Sequence, residues 1–389
     1  MIIKHPDSDN ALRSLWGLIS SIRRRFSNCI HQCHDVIALL YISSHMITPR
    51  IMYNGNQLLE ELCNTVNLSP RNFICLVRTT APSYFPRRMR IFQKQAIDLI
   101  RDRCYTIVYH PGCEFLNHAK FAVYYQICFS ENIVHHGKYY GSTNLTVAGL
   151  AYRRGTRNVG NYEEYMVADP RPKSISTRGL TRGDKFYLNE ALELIIHKAS
   201  LYTDPNYLRR YLLSHLTYME QVLYHSRRVV SGTTLGELYC AYVDLMMIHN
   251  QSYALLDEVP GKKLTEKLEI KLMRIKPPIN TFELEMLIPV NEKHGEMLAK
   301  DLGLGYESIY NLVKEYIDVV EKAYKLIKNG YLAVLGEIKN YFDSKEQKFV
   351  EFIESNNVYH KNSLAKAIEI ARRGCSTSRH GDSNRRPKQ

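Results

Sequence analysis

The sequence has a single Trp in 389 residues, no apolar run of membrane-spanning length, and no regular cysteine framework. A spanning helix needs roughly 20 consecutive apolar residues. The nearest run here, "VIALLYIS" at Val36 to Ser43, is only strand length, so stable membrane insertion is not expected. Nine cysteines is an odd number, and they are irregularly placed from Cys29 to Cys375, so reduced and mostly buried thiols are expected. Cys29, Cys33 and His34 cluster, but no second pair at zinc-site spacing follows, so no metal and no cofactor are expected. The first ten residues, "MIIKHPDSDN", lack the charged-then-apolar pattern of a secretory leader, which points to a cytoplasmic protein.

Positive charge is plentiful and unevenly spread. The formal net charge is +13. Residues 1–178 carry 22 Lys or Arg against 12 Asp or Glu, whereas residues 179–374 carry 26 of each. A basic part beside a neutral one suggests a polyanionic partner for the first, most simply nucleic acid, with anionic lipid second.

Strand-length apolar runs alternate with helical periodicity through the first part: "HDVIALLYIS", "NQLLEELCNTV", "NFICLVRTT", "RIFQKQAIDLIRDR", "CYTIVYH". That alternation predicts a β-α-β-α-β core with parallel strands. "FAVYYQICF" and "IVHHGKYY" flank "SEN" and predict an antiparallel hairpin, with a further strand near Glu163 to Val167. Ala168 to Asp184 is rich in Pro, Gly, Ser and basic residues and reads as a linker. From about Phe186 to Arg373 the spacing is helical, with one apolar stripe from Ile309 through Val313, Tyr316 and Val320 to Ile327. Residues 344–373 read as helix, polar turn and helix, compatible with a helix-turn-helix DNA reader or a plain helical hairpin. The expected organisation is therefore an α/β domain over residues 1–175, a mainly α-helical domain over 176–374, and a basic disordered tail over 375–389.

The chemistry-bearing stretch is "HAKFAVYY". In a strand, His118 and Lys120 share one face, so an imidazole and an ammonium stand side by side and invite an anion. "YYGSTNLTVAGL" follows, where Gly141 closes a strand and Ser142, Thr143 or Asn144 can start a helix whose free N–H groups favour anions. Beyond it, "GNYEEYMV" places Asn161 and Glu163 at the entrance to another strand, with Glu164 a rival one residue away. An imidazole oriented by a carboxylate, with Lys and Asn holding phosphate oxygens, is a workable set for attack on a phosphodiester.

The order H-A-K, G-S-T-N-L-T, N-Y-E resembles the phospholipase D superfamily, whose signature is HxKxxxxD followed by GSxN and an acidic residue; the resemblance covers roughly Asp35 to Val167. It implies a phospholipase D-like mixed sheet flanked by helices and a metal-independent phosphodiesterase. In that scheme His118 is the nucleophile that forms a phosphohistidine, Lys120 and Asn144 bind phosphate, Glu163 orients the imidazole, and Ser142, Thr143 and Asn161 line the substrate site. A second His must protonate the leaving oxygen. His136 and Lys138 form another HxK, but Gly141 follows too closely for a second copy of the motif, so the resemblance implies a homodimer with one shared site. Tyr125 stands where the signature has Asp, a departure that keeps open a catalytically inactive nucleic-acid-binding protein on the same frame. A nuclease acting on DNA or RNA is the leading expectation. A phospholipid-acting phosphodiesterase would use the basic amphipathic segment Leu12 to Phe26 on a membrane surface.

Overall fold

The computed structural model describes residues 2–4, 10–30, 33, 35–53, 56–109, 120–141, 164–275 and 288–373. Its centre is a mixed seven-stranded sheet. The strands are β1 (Ile2–Lys4), β2 (Val36–Ser44), β5 (Phe73–Thr80), β6 (Tyr105–Tyr109), β7 (Lys120–Cys128), β8 (Ile133–Gly141) and β9 (Glu164–Ser176), in the order β1-β9-β8-β7-β2-β5-β6. A separate two-stranded ladder joins β3 (Met52–Tyr53) and β4 (Asn56–Gln57). β2, β5 and β6 run parallel, joined through α2 (Leu58–Asn67) and α3 (Arg87–Ile100), as the alternating pattern predicts. β2 and β5 are buried along their whole length, which is why they read as continuous rather than alternating apolar runs. β7 and β8 form the expected hairpin, and Asn132 in its turn takes φ 54°, a left-handed conformation that Asn tolerates.

Helices cover both faces. On one, α1 (Asn10–Ile30) buries Leu15, Leu18, Ile19, Ile22 and Phe26, and Phe26 meets Phe73 edge-on at 5.2 Å. The apolar side of this basic helix is thus spent on the protein's own core, which overturns its expected use on a membrane surface. The other face carries α4 (Arg182–Thr203), α6 (Leu235–Glu258) and α10 (Ser344–Arg372), with Tyr105 of β6 packed on Phe349 and Phe352. α5 (Pro205–Val230), α7 (Lys262–Leu272), α8 (Glu292–Asp301) and α9 (Tyr306–Leu332) complete the helical part. The predicted stripe of α9 is core: Ile309, Val313, Tyr316, Val320 and Ile327 are buried. α8 crosses α6 at Gly236, where an added Cβ would lie 2.2 Å from the Glu292 carbonyl oxygen. No described helix is long and apolar enough to cross a membrane.

Three expectations fail. The stretch from Ala168 is not a linker: residues 168–176 continue β9, paired with β8 from Ile133 to Lys138, and Thr181 with Asp184 forms the capping box of α4. Pairing with β8 satisfies the backbone here, so the Pro- and Ser-rich composition does not prevent a strand. Residues 344–373 are not two helices around a turn but one, α10. The polar run that suggested a turn is held by tertiary bonds instead: Tyr359 Oη donates to the Val36 carbonyl at 2.8 Å, and His360 Nε2 lies 3.1 Å from the Pro70 carbonyl. Last, the thiols are not all reduced, because Cys33 and Cys128 form a disulfide across 95 residues of chain. Cys63, Cys75, Cys104 and Cys240 are free.

Candidate functional site at the carboxyl end of the parallel strands

Register fixes where the predicted motif lies. Lys120, the first residue of β7, pairs with Gly141, the last of β8, and Gly141 pairs with Tyr165 of β9. The chain therefore enters or leaves the sheet on one row at three adjacent strands. Phe121 stands opposite Ser43, so this row is also the end at which β2 finishes; Ser44 pairs with Thr79 of β5, and Thr79 with Val108 of β6. In open α/β sheets, ligands bind outside the carboxyl ends of the parallel strands, and this is that end.

Of the predicted site residues, Lys120 is described, and it is half-buried. His118, Ser142, Thr143, Asn144, Asn161 and Glu163 lie outside the described residues. Glu164 opens β9 one residue before Tyr165 and pairs with Lys4, so it is out of phase with the Lys120–Gly141–Tyr165 row. Cys29 and His34 carry no described side chain, and no group of three or more metal-ligating side chains occurs among the described residues.

The floor of this end is a rigid polar lattice. Gln93 of α3, fully buried, donates from Nε2 to Thr79 Oγ1 at 2.7 Å and to the Thr80 carbonyl at 2.9 Å, and accepts from Ile47 N–H at 2.8 Å. Thr80 Oγ1 lies 2.9 Å from His45 Nδ1, and the His45 ring sits edge-on to Tyr84 and Phe85 at 5.6 and 5.4 Å. These bonds tie the segment after β2 to the segment after β5. Sequence reading missed His45. Its signal was available: a histidine immediately after the apolar run that ends "YISS", at the carboxyl end of a parallel strand.

The opposite face explains two other motif positions. Asp184, fully buried at the start of α4, forms an ion pair with Lys138, accepts from Tyr125 Oη at 3.2 Å and from Thr181 Oγ1 at 2.6 Å, and has His136 Nδ1 at 3.9 Å. Burial pushes its carboxyl up, but the hydrogen bonds from Lys138 and Thr181 outweigh that and hold it below the usual carboxylate range. The second HxK, His136 and Lys138, thus belongs to a structural ion cluster. Tyr125 reaches the same carboxylate. Nearby, Arg78 Nη1 bonds Glu190 Oε1 at 2.8 Å and its guanidinium lies 4.9 Å from the Tyr109 ring centre.

Arg87 and Arg88 are exposed at the start of α3, and Arg90 Nη2 donates to the Ser83 carbonyl at 3.1 Å. Arg153, Arg154 and Arg157 lie outside the described residues. No protein-family model, curated protein or solved structure matches this chain.

Proposed function

We propose that the protein is a metal-independent phosphodiesterase, most specifically a nuclease of phospholipase D-like type, working through a phosphohistidine at His118. The observation that carries this reading is the shared row of Lys120, Gly141 and Tyr165. His118 precedes Lys120 by two residues, Ser142 to Asn144 follow Gly141 directly, and Glu163 lies two residues before Tyr165. Three stretches scattered over 46 positions of sequence thereby adjoin neighbouring strand ends. The out-of-phase position of Glu164 favours Glu163 as the carboxylate that orients the imidazole.

In the proposed mechanism the His118 imidazole attacks phosphorus and displaces the leaving oxygen, which takes a proton from a second histidine. Lys120 and Asn144 offset charge on the non-bridging oxygens, and water then cleaves the phosphorus–nitrogen bond. The role that the signature gives to Asp is filled by Asp184, delivered from α4 to the Tyr125 hydroxyl, so the Tyr125 departure does not by itself argue for lost chemistry. The net charge of +13 supports nucleic acid as substrate. In the homodimer reading the second histidine is His118 of another copy. A one-chain alternative rests on His45, which stands at the same sheet end.

Purified protein should cleave DNA or RNA in excess chelator, and His118→Ala should abolish cleavage. Retained activity in that variant removes the mechanism. Excess His118→Ala chain, added under subunit exchange, should extinguish wild-type activity if two copies share the site, whereas activity that falls only by dilution selects the His45 version.

A further inference from the structure

The outer face of α5 differs from the other exposed helix faces in its charge pattern. The helix has 26 residues, and its buried side is a regular apolar strip through Leu208, Leu212, Leu216, Met219, Leu223 and Val229. The opposite side presents Arg210, Ser214, Thr217, Gln221, Tyr224 and Arg228 at successive i+3 and i+4 steps, all exposed. Tyr224 is 71% exposed. Arg209 and Arg227 widen the basic ends, with Arg227 paired to Glu321. The one acidic residue of the helix, Glu220, lies on the flank towards α9, where it accepts from Tyr324 Oη.

An ordinary solvated helix interleaves signs, as α9 does: there Lys322 pairs with Asp318 and Lys325 with Glu321. The outer face of α5 has no such compensation. Its composition of Arg, Tyr, Gln, Thr and Ser supplies hydrogen-bond donors throughout, and an arginine stands near each end. Eighteen residues separate Arg210 from Arg228, about 27 Å along the axis, which matches about eight phosphate spacings on one strand. A second copy of the chain is disfavoured as the occupant, because a two-fold contact through this face would set arginines against arginines.

We propose that the outer face of α5 is a docking surface for duplex DNA, contacting the phosphate backbone through Arg209, Arg210 and Arg228, with the uncharged donors between them. It rests on the nucleic-acid partner of the reading above but not on its chemistry. The test is equilibrium binding of a fluorescent 20-base-pair DNA duplex in chelator across a series of salt concentrations, with cleavage followed on the same samples. Replacing Arg209, Arg210 and Arg228 by Gln, which keeps helix propensity, should weaken binding at least about tenfold near 0.1 M salt and reduce the slope of log affinity against log salt by about 2.7. The Lys versions of the same three positions should restore the slope. A control with Lys314, Lys322 and Lys325 of α9 changed to Gln should leave it in place. An equal slope in the α5 variant and the control overturns the proposal, as does dissociation of a wild-type dimer by the α5 substitutions alone. DNA binding with the expected slope but no cleavage would sink the nuclease reading and leave this surface standing; cleavage with an unaltered slope would do the reverse.

Discussion

Asp257, at the end of α6, gives a quantitative test of the helical layer. Its carboxylate lines a cavity of about 110 Å³ beneath α3 and α7, shared with Lys94, Arg101, Lys198, Lys262 and Glu269. Lys94 is engaged by Glu269 at 2.6 Å and Lys198 by Glu258 at 3.0 Å, and Asp257 Oδ2 is enclosed without a hydrogen-bond donor among the described residues. Burial is the main reason its pKa rises from 3.8 to about 7; Lys94, Arg90 and a hydrogen bond from the Ser83 backbone oppose it, and Glu269 adds to it. Because the folded chain holds this proton more tightly than the unfolded chain, stability is greatest below the unfolded value and is lost as pH climbs from about 4 through 7. Each pKa unit corresponds to about 1.4 kcal/mol, so the full loss is at most about 4 kcal/mol and the share between pH 5 and 8 is about 2.6 kcal/mol. Asp257→Asn keeps the acceptor for Ser83 and removes the titration. Urea unfolding of both proteins at pH 5, 6, 7 and 8 should show the variant gaining about 2–3 kcal/mol on the wild type across the series. His197, His215 and His249, lowered by burial to about 4, act in the opposite direction below about pH 6.5, but they are common to both proteins and cancel in the difference. Parallel pH profiles would refute the reasoning.

Asp184→Asn should cost about 3–5 kcal/mol, because Lys138 then keeps its charge in a buried site without a counter-ion; Asp184→Asn with Lys138→Met should recover much of that in chemical unfolding. The carboxyl is depressed in the folded state, so its contribution is present above the ordinary carboxylate range and fades as pH falls through the folded value, a slope that the single variant should lack in acid titration of unfolding. Intact mass without reductant should show Cys33 joined to Cys128. Cys33→Ser should lower stability by up to about 4.7 kcal/mol, the chain-entropy value for a loop of 95 residues, and the variant's urea midpoint should be indifferent to thiol reductant.

Much of the sheet was legible because its strands are buried on both sides. "VIALLYIS" and "FICLVRTT" can be little else than interior strands once helical runs separate them, and the "SEN" hairpin followed from two β-rich runs around a short polar turn. What failed depended on distant partners. The strand character of residues 168–176 comes from pairing with β8, and composition alone carries no trace of that. The unbroken path of α10 through "ESNNVYHKNS" depends on Val36 and Pro70, about 300 residues away in sequence. The disulfide likewise joins cysteines whose proximity is created by the placement of α1 and β7. At the candidate site, Lys120 and the strand ends around it follow from local pattern, whereas the partnership of Asp184 with Lys138 and Tyr125 needs α4 folded onto the hairpin before it exists.

The central claim is that the His118 nitrogen becomes bonded to phosphorus during turnover. Rapid alkaline quenching of the protein with a nucleic-acid substrate, followed by peptide mass spectrometry, measures this most directly. The account predicts a phosphoryl-linked adduct on the peptide carrying His118, alkali-stable and acid-labile, formed in the presence of chelator. Cleavage that proceeds at full rate with no adduct at any quench time, or an adduct on a different residue, would contradict it.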